Sequence, residues 1–266
     1  MPMMTSYRHG VPSWTDVSSP DVEATVAFYC GLFGWDVTPD LGPDAGGYRL
    51  FLKGGLTVAG IGPNQGAPCA WSTYLAVDDI DEVAGRVGAA GGTVAVPPMD
   101  LPDGNGRIGF AVDPTGGFFG LIQAGPNHIG AQVVNEPGSV VWNELATREP
   151  DAASAFYDSL MGWTSAPMDP SDAAGYRVIS VQGRVVAGLM PMGAEFPADI
   201  PTHWLTYFAV DDAQATADRC AATGGAVVQG PFPTPVGTMA VLRDPTGAVF
   251  AIGAMVNIDD PNEWTA

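Results

Sequence analysis

Residues 14–35 (WTDVSSPDVEATVAFYCGLFGW) recur as residues 142–163 (WNELATREPDAASAFYDSLMGW), and no other feature restricts the fold as tightly. At one offset of 128 residues, Trp14 matches Trp142, Asp16 matches Glu144, Ala27-Phe28-Tyr29 matches Ala155-Phe156-Tyr157, and Gly34-Trp35 matches Gly162-Trp163. Tyr48-Arg49 against Tyr176-Arg177 and Val58-Ala59-Gly60 against Val186-Ala187-Gly188 keep that offset. After a small insertion, WSTYLAVDD (71–79) meets WLTYFAVDD (204–212), and DPTG at 113–116 meets DPTG at 244–247. This is a duplicated domain, and 266 residues have room for two of ordinary size.

Within each copy a second, weaker repetition shows. Residues 11–18 read as a short strand running into a helix, with Ser19 as N-cap, Pro20 as first helical residue, and Phe28, Tyr29, Leu32 and Phe33 on one face. Gly34 ends it. Strands are expected near 35–38, 47–53 and 56–61. Residues 71–77 restart the order. Asp78 caps a helix carrying Ile80, Val83, Ala84 and Val87, and strands follow near 93–97, 106–112 and 118–123. DPTG is a tight turn between the last two strands. The second copy repeats this with helices at 150–161 and from Asp211, Cys220 taking the core place of Val87. The expected division is a first unit at 9–125 (modules 9–65 and 71–125), a linker at 126–137, a second unit at 138–255 (modules 138–192 and 203–255), and an acidic surface tail at 256–266.

The charge balance narrows the partners. With 10 Lys and Arg against 29 Asp and Glu the net charge is −19, so nucleic acid and anionic membrane surfaces are poor partners. No run approaches the ~18 apolar residues that span a bilayer. The start MPMMTSYRHG lacks the apolar stretch of a signal peptide. Cys30, Cys69 and Cys220 are an odd, scattered set without CxxC, as expected for a reducing compartment, and the cytoplasm is the expected location.

Four βαβββ modules, with an AFY run and a Gly-Trp in the first helix region of each copy and DPTG before its last strand, resemble the vicinal oxygen chelate superfamily. That group includes glyoxalase I, extradiol dioxygenases and bleomycin-resistance proteins, and tandem glyoxalase-like proteins of actinomycetes are the nearest in pattern. The resemblance implies an α+β fold in which the modules pair into two glyoxalase-like units, each a cupped mixed sheet with its helices outside and its ligand in the cup. In metal-using members, donors on the first and last strands stand fourteen residues before the helix Phe and seven after the Asp of the DP turn. Here those positions hold Trp14 and Gly120, and in the second copy Trp142 and Ala251. The two remaining positions fall near Gly60 and Ser72, or Gly188 and Leu205. A divalent ion needs three or four converging His, Asp, Glu or Cys donors, and His9, His128 and His203 show no ligand spacing. The expectation is no bound metal and no cofactor.

Strand alternation assigns the cup's contents. If Trp14 faces inward, so does Asp16, and Trp142 and Glu144 follow. Tyr48, Tyr74, Tyr176, Tyr207 and Phe118 join them, with Arg107 as a further ligand-binding candidate. Aromatic walls suit a flat or hydrophobic small molecule. Each Trp is equally readable as a plug. Asp16 and Glu144 are the catalytic candidates as general acid or base, unless they pair with Arg49, Arg107 or Arg177. Three functions stay open: a metal-independent binding protein for a small aromatic or hydrophobic metabolite, serving antibiotic resistance or biosynthesis; a tailoring or detoxifying lyase, isomerase or hydrolase using carboxylate and tyrosine; and a structural protein with filled cups. Whether the chain is an enzyme is undecided at this level. A monomer or a homodimer fits equally.

Overall fold

The computed structural model describes residues 3–64, 66, 68–168 and 175–256. The first module comprises β1 (Pro12–Ser19), α1 (Val22–Phe33), β2 (Asp36–Val37), β3 (Arg49–Lys53) and β4 (Leu56–Pro63). The second comprises β5 (Ala70–Ala76), α2 (Ile80–Val87), β6 (Thr93–Asp100), β7 (Arg107–Val112) and β8 (Phe118–Gln123). The third holds β9 (Val140–Thr147), α3 (Pro150–Met161), β10 (Trp163–Pro167), β11 (Arg177–Val181) and β12 (Arg184–Pro191). The fourth holds β13 (His203–Ala209), α4 (Ala213–Ala222), β14 (Ala226–Thr234), β15 (Gly237–Arg243) and β16 (Val249–Met255). The acidic tail, from residue 257 on, lies outside the described residues.

Helix ends follow local chemistry, with small shifts from expectation. Ser19 is not the cap of α1. Its hydroxyl accepts from Asp21 N and bonds Thr25, so it shapes the turn ahead of the helix, and Asp21 caps by accepting from Ala24 N. Asp79 and Asp212, one residue beyond the expected caps, do the same for α2 and α4. Gly34 and Gly162 close α1 and α3 in the left-handed conformation, at φ 71° and 64°.

Each half forms one eight-stranded mixed sheet, in the orders β2-β3-β4-β1-β5-β8-β7-β6 and β10-β11-β12-β9-β13-β16-β15-β14. The modules join through antiparallel β1·β5 and β9·β13, and each of these strands has a parallel neighbour on its other side. Helices α1 to α4 pack on the face of each sheet opposite its cup.

The two apolar cores do not divide by halves. One joins α2 and β8 to α3, β11 and β12, through Val83, Val87, Phe119, Phe156, Tyr157 and Ile179. The other joins α1 and β4 to α4, β15 and β16, through Phe28, Tyr29, Phe208, Ala217, Leu242 and Phe250. The helix-bearing faces of the two sheets are therefore buried against one another. Where the central strands meet, the contact is polar and fully enclosed: Thr73 Oγ1 donates to Asn143 Oδ1 at 3.0 Å, and the Thr15 and Thr206 hydroxyls lie 3.2 Å apart.

The repeated motifs serve this junction. Tyr157 of the second AFY run donates to Asp113 Oδ2 of the first DPTG at 3.0 Å, and Tyr29 donates to Asp244 Oδ2 of the second at 3.0 Å. Trp204 Nε1 donates to the Tyr157 hydroxyl, and Trp71 Nε1 to that of Tyr29. Trp163 Nε1 reaches Gly10 O and Trp35 Nε1 reaches Gly138 O, each at 2.7 Å. Removing either phenol oxygen strands a buried indole N–H and half of a buried carboxylate. Tyr157→Phe and Tyr29→Phe should each destabilise the chain by about 1–3 kcal/mol in urea denaturation. Because the cores are shared, the wild-type chain should unfold in one transition by both fluorescence and circular dichroism.

Candidate functional site

Pairing register sets the contents of each cup. In the first, Asp16 on β1 stands opposite Gly60 on β4 and Ser72 on β5, while Trp14 stands opposite Tyr74 and Tyr74 beside Gly120 on β8. These positions share the concave face. There the Trp14 indole Nε1 donates to the Tyr48 hydroxyl at 3.1 Å, and Tyr48 donates to Asp16 Oδ2 at 2.9 Å. Tyr74 donates to the same oxygen at 2.7 Å. The second cup repeats the cluster. Trp142 Nε1 donates to Tyr176 at 2.9 Å, Tyr207 donates to Glu144 Oε1 at 3.0 Å, and Tyr176 also bonds Glu144.

Glycines make room for the phenols. A Cβ on Gly60 would lie 1.9 Å from the Tyr48 hydroxyl, one on Gly188 1.9 Å from that of Tyr176, and one on Gly120 2.2 Å from the Tyr74 ring. Longer side chains at these three positions therefore require the rings to move.

Burial pushes the Asp16 carboxyl up to about 6, against the opposing pull of the Tyr74, Tyr48 and Ser72 hydrogen bonds. Glu144 is raised by burial as well, opposed by Tyr176 and Tyr207. Burial and the facing carboxylates hold all four phenols well above their usual value, so they remain protonated donors. Glu144 is almost sealed at 6% exposure, whereas Asp16 is half-buried.

Phe118 lies on the first concave face as expected, 44% exposed, and stacks on Phe110 at 5.2 Å with the rings 15° apart. Phe110 in turn meets Tyr74 edge-on at 5.4 Å. Arg107 is not in the cup. Phe110 pairs with Gly120 and Arg107 with Gln123, so Arg107 takes the opposite face, where its guanidinium bridges Asp81 and Asp100. Arg49 and Arg177 likewise reach out to the first-turn acids Glu23 and Asp151 of α1 and α3. The ion pairing weighed for Asp16 and Glu144 is replaced by phenol donors.

Sequence reasoning missed Phe110, and with it Met239 and Met255, which stand on the second concave face opposite Gly253 and Gly237. Pairing β7 and β15 residue by residue against β8 and β16 would have found them. It also missed His128, since the linker has no counterpart at the 128-residue offset. The His128 ring sits edge-on to Trp14 at 4.6 Å, and Ala131 and Val134 pack on the same apolar patch. Burial lowers His128 to about 4, leaving it uncharged at neutral pH. Two cavities, of about 30 and 20 Å³, lie beside Trp142 and Trp14 and are lined from both halves. Each suits a water molecule.

The donor set does not fit a divalent cation. Trp14, Gly60 and Gly120 offer no ligand atom, Ser72 offers only a hydroxyl that bonds Asp16, Trp142, Gly188, Leu205 and Ala251 offer none, and the phenols fill the space beside Gly60, Gly120 and Gly188. Among the described residues no three His, Cys, Asp or Glu side chains converge.

Comparison with known proteins agrees with this architecture. The model of the Glyoxalase/Bleomycin resistance protein/Dioxygenase superfamily matches residues 12–119 and again 127–252. A Mycobacterium tuberculosis protein named "Putative glyoxylase CFP32" is 44% identical over 95% of this chain and 97% of its own. Anthracycline biosynthesis protein DnrV of Streptomyces peucetius is 38% identical, covering 94% of each chain. Among solved structures, the Mn(II)-bound glyoxalase from Novosphingobium aromaticivorans superposes with a TM-score of 0.66 at 18% identity, over 94% of this chain and 84% of that one. The 2,3-dioxygenase LapB from Pseudomonas sp. KL28 gives 0.64 at 15% identity over 96% of each. No helix among the described residues is long and apolar enough to cross a membrane.

The raised carboxyl carries a testable sign. Folded Asp16 holds its proton up to about pH 6, whereas an unfolded Asp releases it near 3.8. Its contribution to stability is therefore full below about pH 4 and is lost as pH rises through about 6. At about 1.4 kcal/mol per unit this amounts to on the order of 3 kcal/mol at most. Asp16→Asn should flatten that part of a pH–stability profile measured by urea denaturation.

Proposed function

We propose, from the premise that this chain belongs to the Glyoxalase/Bleomycin resistance protein/Dioxygenase superfamily, that it binds a flat aromatic metabolite in its first cup without a metal ion. The observation that carries this reading is the Phe110–Phe118 stack, its Phe118 ring exposed, which is joined through Tyr74 to the half-buried Asp16. The matching positions of the second cup hold Val241 and Val249, and its carboxylate is sealed. Its Trp142–Tyr176–Glu144–Tyr207 cluster then acts as scaffold. In the first cup the linker adds a further wall through His128 and Val134. The relatives named for anthracycline biosynthesis support a polycyclic aromatic guest and a role in antibiotic production or self-protection. Three unpaired cysteines support a reducing compartment, the cytoplasm, and the mutual covering of the two helix-bearing faces supports a monomer.

A second reading, acid–base catalysis by Asp16 on the bound guest, draws on one observation. Its carboxyl, raised to about 6, is poised near neutrality beside two phenols. Turnover lost in Asp16→Asn with binding retained would select it.

Titration with an anthracycline, followed by tryptophan fluorescence, tests the binding reading. Phe110→Ala and Phe118→Ala should each weaken binding about 3- to 10-fold, the range of an aromatic pair worth ~0.5–1.5 kcal/mol. Val241→Ala and Val249→Ala should change it less than twofold, and a chelator should leave it unchanged. Affinity that disappears with chelator and returns with a divalent ion would refute the metal-independent reading.

A further inference from the structure

The polar hydrogens of the Trp14, Tyr48, Tyr74 and Ser72 side chains around Asp16 are turned inward. Trp14 gives its N–H to Tyr48, and Tyr48 and Tyr74 give theirs to Asp16, as does Ser72. A tyrosine hydroxyl has one hydrogen to donate, so what these groups still offer a guest is lone pairs only. The wall beside them, the partly buried Phe110 and the exposed Phe118, presents π faces and ring edges, and π faces carry negative quadrupole potential.

Among the described residues no positive charge is seen to balance this surface. Arg49 and Arg107 start strands of the same sheet, yet both are tied to acids outside the cup, and Lys53 is held by Glu136 and Pro137 O. His128 is uncharged at neutral pH. The rest of the chain is strongly acidic, at −19.

Resting on the aromatic-guest reading, we infer that the first cup selects by charge: it takes flat guests bearing a hydrogen-bond donor or a cationic amine, and it refuses guests bearing a carboxylate, phosphate or phosphonate. A protonated amine over the cluster meets lone pairs and aromatic faces together, which is the arrangement that favours cations. An anion meets acceptors, an ionised Asp16 and no compensating positive charge.

Four naphthalene probes of one shape separate the terms: 1-naphthylmethylamine, 1-naphthalenemethanol, 1-methylnaphthalene and 1-naphthoic acid. Each is titrated into the full chain at pH 7.5 and followed by calorimetry and tryptophan quenching. The expected order is amine, alcohol, methyl, acid, with at least a 30-fold span between amine and acid that persists at 0.5 M salt. Asp16→Asn should bring amine and alcohol to within about threefold of each other while leaving the methyl compound unchanged. Acid binding as tightly as amine overturns the charge selection and leaves the aromatic-guest reading standing. A preference erased by salt but untouched by Asp16→Asn assigns it to the acidic surface and overturns the role of the cluster. A preference lost in Glu144→Gln instead moves the site to the second cup and overturns the present assignment. Failure of all four probes to bind overturns the aromatic-guest reading and the selection with it.

Discussion

Two buried hydrogen bonds, Tyr157 to Asp113 and Tyr29 to Asp244, hold the rest of the molecule in register. Each aspartate is 3% exposed, and its other oxygen already gathers the donors of its own turn: Thr115 N, Thr115 Oγ1 and Gly117 N for Asp113. A buried carboxylate needs every such partner. The phenol that completes it comes from the other copy, so neither copy is finished alone. The indoles of Trp71 and Trp204 complete the phenols in turn, and the apolar clusters around them draw on both halves. Holding the helix-bearing faces together leaves the concave faces as the outward surfaces.

On those concave faces, one layer of side chains decides the chemistry. An indole, two phenols and a carboxylate form that layer, and strand glycines accommodate the rings. The same layer is built in both copies, with Asp16 in one and Glu144 in the other. Phenols that donate to a shared carboxylate oxygen, as Tyr48 and Tyr74 do to Asp16, hold one another's rings in place.

Duplication supplied two copies of the cluster, and the surroundings then made them unequal. Phe110 and Phe118 stand in one where Val241 and Val249 stand in the other. The linker closes on Trp14 with His128 and Ala131, and Asp16 stays half-buried while Glu144 is sealed. Such inequality between two copies of one cluster is something a fused chain permits and a symmetric pair of identical chains does not.

The amino-acid sequence by itself determined the duplication, the order of strands and helices, and the inward set of Trp14, Asp16, Tyr48, Tyr74 and their second-copy partners. It could do so because side chains alternate along a strand, and because an offset that survives over many residues names equivalent positions without any knowledge of contacts. It also placed indoles and glycines, which have nothing to coordinate with, at the positions where the family resemblance implies donors. Only the tertiary structure decided who satisfies whom. That Arg107 leaves the cup for Asp81 and Asp100, that phenols and not guanidinium groups hold Asp16, and that DPTG is a junction as well as a turn all depend on the pairing of strands and faces far apart in the chain. Hydrogen-bond partners of buried groups are chosen by distance in space, and one-dimensional spacing carries no record of that.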